Sequence, residues 1–222
     1  MEKQYNGSME STRLMTLDKR QVFIICDSDE SVHELGTGFQ FLKKNWIVTA
    51  SHVVFEDKLP RQNLYAQFVN SENNIHYAKL KIIAEHIECD IAILEFCNEE
   101  KPLLKPLFPG YEDFQSAKGL VYCGYDSSIP GLRIEHVDNF STIPRLREYE
   151  EIVLEFPSTH VTGGFSGGPI FGDGGVVLGI MVNQFSNQNE PEKSFCRAIS
   201  IKTLMDAIDI ELNPKMMKTE NL

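Results

Sequence analysis

The sequence has few cysteines, and none of them stands in a pairing pattern. Five of the 222 residues are cysteine, and no two of them form a C-x-x-C pair. An odd count without such pairs argues against a secreted disulfide scaffold and against a zinc knuckle. All five lie in or beside apolar runs, which predicts buried free thiols and a reducing compartment. They are Cys26, Cys89, Cys97, Cys123 and Cys196.

Long apolar segments and excess positive charge are also missing. The longest apolar runs have the length of strands, so no transmembrane helix is expected. Residues 1–14 are polar and lack the apolar core of a secretory signal, which favours a cytoplasmic protein without membrane contact. The net charge of −11 would repel phosphate backbones, so we expect no nucleic-acid partner.

Short strand-like runs dominate the chain. Six of them precede a proline-rich segment at 98–115, and six follow it. Two equal sets of short strands predict an all-β fold with two packed antiparallel barrels or a pair of sandwiches. The predicted strands are 22–26, 37–42, 46–49, 64–69, 77–84, 91–96, 120–124, 132–137, 152–156, 168–171, 176–182 and 195–199.

One helix is predicted near the end of the chain. Apolar residues recur at helical spacing from Ile201 to Ile208, and Ser200 can cap the first turn. The predicted organisation has an N-terminal arm, a barrel, a linker, a second barrel, the helix and a tail. Their ranges are 1–20, 21–97, 98–117, 118–199, 200–212 and 213–222, with 21–212 forming one domain.

A glycine cluster surrounds one serine at residues 163–169. Four glycines flank Ser166, and Pro169 follows them. Glycine loses the most entropy on folding, so a cluster needs a geometric reason. A sharp turn that aims backbone N–H groups near the Ser166 hydroxyl would stabilise charge on a carbonyl oxygen under attack. A lone motif of this kind would more often be an ordinary turn.

A base and a carboxylate for this serine can be found upstream. His52 follows the apolar strand 46–50, and Asp90 stands at the head of the apolar strand 91–94. Serine needs a base to take its proton, and the base needs an orienting partner. Alone, His52 would be read as a surface histidine and Asp90 as a turn residue. Together with Ser166, the two residues favour a catalytic site.

These three segments resemble the motifs of one known family. Residues 49–52 (TASH), 90–94 (DIAIL) and 164–169 (GFSGGP) are similar to those of trypsin-like serine peptidases of the chymotrypsin fold, in the same order. Residues 36–39 (GTGF) resemble a segment of the bacterial HtrA-like branch, although no PDZ domain fits in the chain. The resemblance implies two six-stranded antiparallel β-barrels with the site between them, followed here by the C-terminal helix.

The resemblance also implies roles. His52 would be general base and then acid, Asp90 would orient it, and Ser166 would attack the carbonyl. The N–H groups of Gly164 and Ser166 would form the oxyanion hole. Such a serine endopeptidase would act on a protein or peptide through an acyl-enzyme, with no metal and no cofactor. The resemblance also places His160 at the base of the primary pocket, and an exposed loop histidine is the alternative. Substrate would pair with the strand Val182, Asn183 and Gln184 by strand addition.

One departure concerns activation. Animal members have an aspartate before the nucleophile that pairs with a new N-terminus, whereas this chain has Phe165. Activation by that ion pair is therefore not expected. A loop that orders on binding an activating protein partner would make the isolated protein latent. Together with the predicted location, this suits an intracellular regulatory protease.

Two other functions compete with this interpretation. The first is a latent or inactive module that keeps the fold and binds peptides or protein partners; the intact residues His52, Asp90 and Ser166 speak against it. The second is an α/β-hydrolase esterase, in which the serine precedes a helix and the histidine comes last. No histidine follows Ser166, which argues strongly against this reading.

Overall fold

The computed structural model describes most of the chain between residues 21 and 212. The described ranges are 21–28, 32–69, 74–97, 105–110, 114, 116–117, 119–126, 129–137, 142–146, 150–157, 163–172, 175–187 and 190–212. The predicted arm at 1–20 and tail at 213–222 lie outside them. No helix in these ranges is long and apolar enough to cross a membrane.

The first half of the chain forms a closed barrel. Its strands pair in the order β1-β2-β3-β8-β7-β6, and each pair is antiparallel. The elements of this half are β1 Val22–Ser28, β2 Val32–Gln40, β3 Trp46–Ala50, α1 Ser51–Val54, β4 Phe55–Glu56, β5 Leu59–Pro60, β6 Leu64–Val69, β7 Ile75–His86 and β8 Ile91–Phe96. The predicted first barrel is therefore confirmed.

Side-chain alternation and aromatic packing explain why this barrel closes. In β6 the residues Leu64, Ala66 and Phe68 are buried and alternate with more exposed ones, as a strand with one face inside requires. At the centre, the Phe23 ring meets the rings of Phe68 and Phe96 edge to face, with centroids 6.3 and 5.8 Å away.

The second half forms an open sheet, which differs from the predicted second barrel. Its seven strands run in the order β10-β9-β13-β14-β15-β12-β11, and no pairing joins β10 to β11 among the described residues. The elements are β9 Leu120–Asp126, β10 Ile129–Val137, β11 Thr142–Leu146, β12 Glu150–Pro157, β13 Pro169–Phe171, β14 Val177–Asn187, β15 Glu190–Ser200 and α2 Ile201–Leu212.

Each edge strand of this sheet contains a proline. Pro130 lies in β10 and Pro144 in β11, and proline has no N–H to donate to a neighbouring strand. Strand β11 was not predicted because its five residues include this proline. All twelve predicted strands overlap observed ones, and the strands that were not predicted are β4, β5 and β11.

The C-terminal helix joins the two halves. Helix α2 contacts β7 and β8 of the barrel and β14 and β15 of the sheet. Its residues Leu204 and Ile208 are buried in a core that contains side chains from both halves. The Thr203 N–H donates to Ser200 Oγ over 3.2 Å, so the predicted cap is confirmed.

Candidate active site

Strand pairing brings His52 and Asp90 together. Strands β3 and β8 pair with Ala50 opposite Ile91, so the residue after β3 meets the residue before β8. The Ser51 N–H donates to the Asp90 carbonyl over 3.0 Å. Asp90 has a φ of 57°, a left-handed conformation that aspartate tolerates better than most residues. The tight turn therefore places its carboxylate beside the first turn of α1.

The Asp90 carboxylate holds His52 at two points. The His52 backbone N–H donates to Oδ1 over 2.9 Å, and Nδ1 lies 2.9 Å from Oδ2. A carboxylate oxygen accepts hydrogen bonds, so Nδ1 is the donor in this contact, and in a neutral ring the lone pair then lies on Nε2. The His52 side chain is 46% exposed and that of Asp90 20%. The pair thus presents a basic nitrogen at an accessible surface.

Ser166 lies in a tight turn at residues 163–168. The Gly168 N–H donates to the Phe165 carbonyl over 2.9 Å and closes the turn, and the Gly167 N–H donates to Met181 of β14 over 2.7 Å. Gly167 has a φ of 86°, and a Cβ there would come within 2.1 Å of the Thr37 carbonyl oxygen. Only glycine fits at this position, which explains one of the four glycines in the cluster.

The serine turn packs against the barrel beside α1. The Thr37 N–H donates to the Ser166 carbonyl over 2.8 Å. A Cβ on Gly36 would come within 2.9 Å of that carbonyl oxygen and 2.7 Å of Val53 Cγ2. The backbone of Ser166 and the helix that carries His52 therefore approach each other across Gly36. Among the described residues, no hydrogen bond joins the side chains of His52 and Ser166.

The predicted oxyanion donors have no acceptor within the described ranges. Neither Gly164 nor Ser166 donates its N–H to another described group. The Phe165 carbonyl accepts from Gly168, so the Ser166 N–H of the same trans peptide points away from that bond. The assignment of these two amides to the oxyanion hole stays a prediction.

The predicted substrate-binding residues differ in their surroundings. Val182 is buried, so its side chain is not available to a substrate, whereas Asn183 is exposed. Gln184 lies in β14, and His160 lies outside the described residues. Beyond Ile180, which pairs with Pro169, no described strand covers the β13-facing edge of β14. On this edge the Met181 backbone bonds to Gly167 and Gly168 of the serine turn, and strand addition by substrate beyond Met181 stays a prediction.

Phe165 and Thr37 are site residues whose contacts the sequence did not predict. Phe165 is buried, its ring meets Tyr122 edge to face with centroids 5.5 Å apart, and it packs on Gly124. Thr37 is buried and bonded to the serine turn. The sequence indicated residues 36–39 (GTGF) only through the family resemblance. It did not predict the hydrogen bonds of Thr37, because the bonded residues Gly164 and Ser166 lie far away along the chain.

Comparisons with known proteins agree with the fold. The family model described as a trypsin-like peptidase domain matches residues 36–180. No curated protein matches the chain at a significant level.

Several solved structures share the fold. The active form of the Rv3671c protease from M. tuberculosis is 18% identical, with a TM-score of 0.66, and the match covers 91% of this chain and 86% of that one. Deg5 is 21% identical, with a TM-score of 0.64 and coverages of 89% and 93%. The HtrA-type protease AlgW with tripeptide is 16% identical, with a TM-score of 0.63 and coverages of 89% and 62%.

Proposed function

Because this chain belongs to the trypsin-like peptidase family, we propose that it is a serine endopeptidase that hydrolyses peptide bonds through an acyl-enzyme. The proposed triad is His52, Asp90 and Ser166. The observation that carries the proposal is the pair of 2.9 Å hydrogen bonds from His52 to the Asp90 carboxylate. Such a pair fixes both the ring orientation and the tautomer that a general base needs.

The proposed reaction uses side chains and backbone alone. His52 Nε2 takes the proton of Ser166 Oγ as that oxygen attacks the substrate carbonyl. The N–H groups of Gly164 and Ser166 then stabilise the oxyanion of the tetrahedral intermediate. The imidazolium returns its proton to the leaving amine, and a water molecule repeats the sequence on the acyl-enzyme. The side chains of His52 and Ser166 would come into hydrogen-bonding contact when substrate binds.

Covalent labelling with a fluorophosphonate tests this proposal. The wild-type protein should be labelled at Ser166, as located by peptide mass spectrometry, and Ser166→Ala should not be labelled. Profiling with a peptide library should then yield cleavage products with the wild type that Ser166→Ala does not produce. Identical peptide patterns from the two proteins would refute the endopeptidase and favour a module that only binds peptides.

The regulatory role, the activating partner and the cytoplasmic location remain proposals from the sequence. Active-site titration of the isolated protein tests the need for an activator. A titrated fraction near one would argue against latency. A small fraction that rises when cell extract is added would support an activating partner.

A further inference from the structure

Thr37 makes hydrogen bonds with every polar group it has. It is fully buried on β2. Its N–H donates to the Ser166 carbonyl over 2.8 Å, and its carbonyl accepts from Thr49 Oγ1 over 2.7 Å. Its hydroxyl donates to the Gly164 carbonyl over 2.6 Å and accepts from the Tyr125 N–H over 3.0 Å. One residue of the barrel thus bonds both to the serine turn and to β9 of the second sheet.

The two bonds to the serine turn hold alternate carbonyls. Those of Gly164 and Ser166 both face Thr37, while the Phe165 carbonyl between them accepts from Gly168. With these three acceptors engaged, each peptide plane from Gly164 to Gly167 has one fixed orientation. The orientation of the Gly164 carbonyl also restricts the ψ angle of Gly164, a residue at φ 106° with no Cβ to limit its rotation.

We propose that Thr37 is a positioning residue for the reaction: its hydroxyl holds the Gly164 carbonyl, in the peptide that lies between the two oxyanion-binding amides, and so sets the relative orientation of those amides in the turn. The inference rests on the proposed peptidase function. Since β2 also pairs with β3, which leads into α1, the same contact sets the serine turn relative to His52. A loss of this hydroxyl should therefore slow acylation while leaving substrate binding largely unchanged.

Removal of the hydroxyl at constant shape is the direct test. Thr37→Val deletes the bonds to Gly164 and Tyr125, and Thr37→Ser keeps the hydroxyl. Acylation by p-nitrophenyl acetate is followed as a pre-steady-state burst, normalised to titrated sites and corrected with Ser166→Ala. We expect about a 10–100-fold lower acylation rate constant for Thr37→Val, because misplacement of reacting groups by about 1 Å can cost 10²-fold. The half-saturating ester concentration should change little, and Thr37→Ser should restore most of the rate.

Thr203→Val is the matched control. Thr203 is a buried threonine of α2 whose hydroxyl accepts from Ser200 Oγ. Its loss should lower the urea midpoint without changing the burst rate per titrated site. If Thr37→Val does not fold, Thr37→Ala is measured with the same criteria.

The outcomes separate the two proposals. A wild-type protein without a burst above Ser166→Ala would overturn the peptidase function and this inference with it. A normal wild-type burst with an equal rate in the hydroxyl-free variant would overturn the role of Thr37 alone. A slow burst in Thr37→Ser as well would also count against it, since the hydroxyl would then not be the decisive group.

Discussion

Asp90→Asn tests the electrostatic core of the site with almost no change of shape. Asparagine tolerates the left-handed φ of 57° at this position, so the turn should survive. The amide has one accepting oxygen, whereas the carboxylate accepts from both the backbone N–H and Nδ1 of His52. In either orientation of the amide, one of these two donors is left without an acceptor.

The two amide orientations have different consequences. If the amide oxygen keeps the His52 backbone N–H, the NH₂ group faces Nδ1, which must then accept, and the ring proton moves to Nε2. The base then has no lone pair for Ser166. If the amide is reversed, its NH₂ faces the backbone N–H, and an unsatisfied donor costs about 1–3 kcal/mol. The first orientation should therefore dominate.

The expected loss of rate follows from the wrong tautomer. For a triad of this type the corresponding change lowers kcat by about 10⁴-fold, or about 5 kcal/mol in activation free energy. The assay is the fluorophosphonate labelling rate, with urea unfolding to check the fold. Asp57→Asn is a matched control, because Asp57 is also at a left-handed φ, of 50°, but is exposed in the β4–β5 turn. Labelling of Asp90→Asn at the wild-type rate would refute the assigned role of the carboxylate.

Two further predictions concern the packing around the site and the thiols. Gly167→Ala should lower the free energy of unfolding by about 1–2 kcal/mol because of the left-handed backbone. Overpacking should lower it by a further ~1–3 kcal/mol, because the new Cβ would lie 2.1 Å from the Thr37 carbonyl oxygen. Gly175→Ala measures the backbone contribution alone, because Gly175 is at φ 76° and nothing lies within 4 Å of the added Cβ. Equal urea midpoints for the two variants would contradict the steric argument. Cys97 is exposed, contrary to the prediction that all five thiols are buried. At pH 8, 5,5′-dithiobis(2-nitrobenzoate) should therefore react quickly with Cys97 and not with Cys26, because burial raises the pKa of Cys26 to about 12. A rapid phase that persists in Cys97→Ser would show that a buried thiol is accessible.

Local pattern was sufficient to predict twelve of the strands and the C-terminal helix. The Leu64–Val69 strand alternates as its sequence indicates, and Ser200 caps the helix that its position predicts. Closure of the second barrel could not be predicted in this way. Whether edge strands meet depends on the tilt of the whole sheet and on edge groups such as Pro144, which no local periodicity reports.

The sequence alone determined which residue types are available for catalysis and in what order, since a serine among glycines, a histidine after one strand and an aspartate before another can be read from spacing. The tertiary structure decided which groups share a hydrogen bond. The partners Thr37 and Gly164 are 127 residues apart, and Asp90 reaches His52 only because β3 pairs with β8. Hydrogen bonds act over about 3 Å, and pairing between distant segments is set by the fold as a whole.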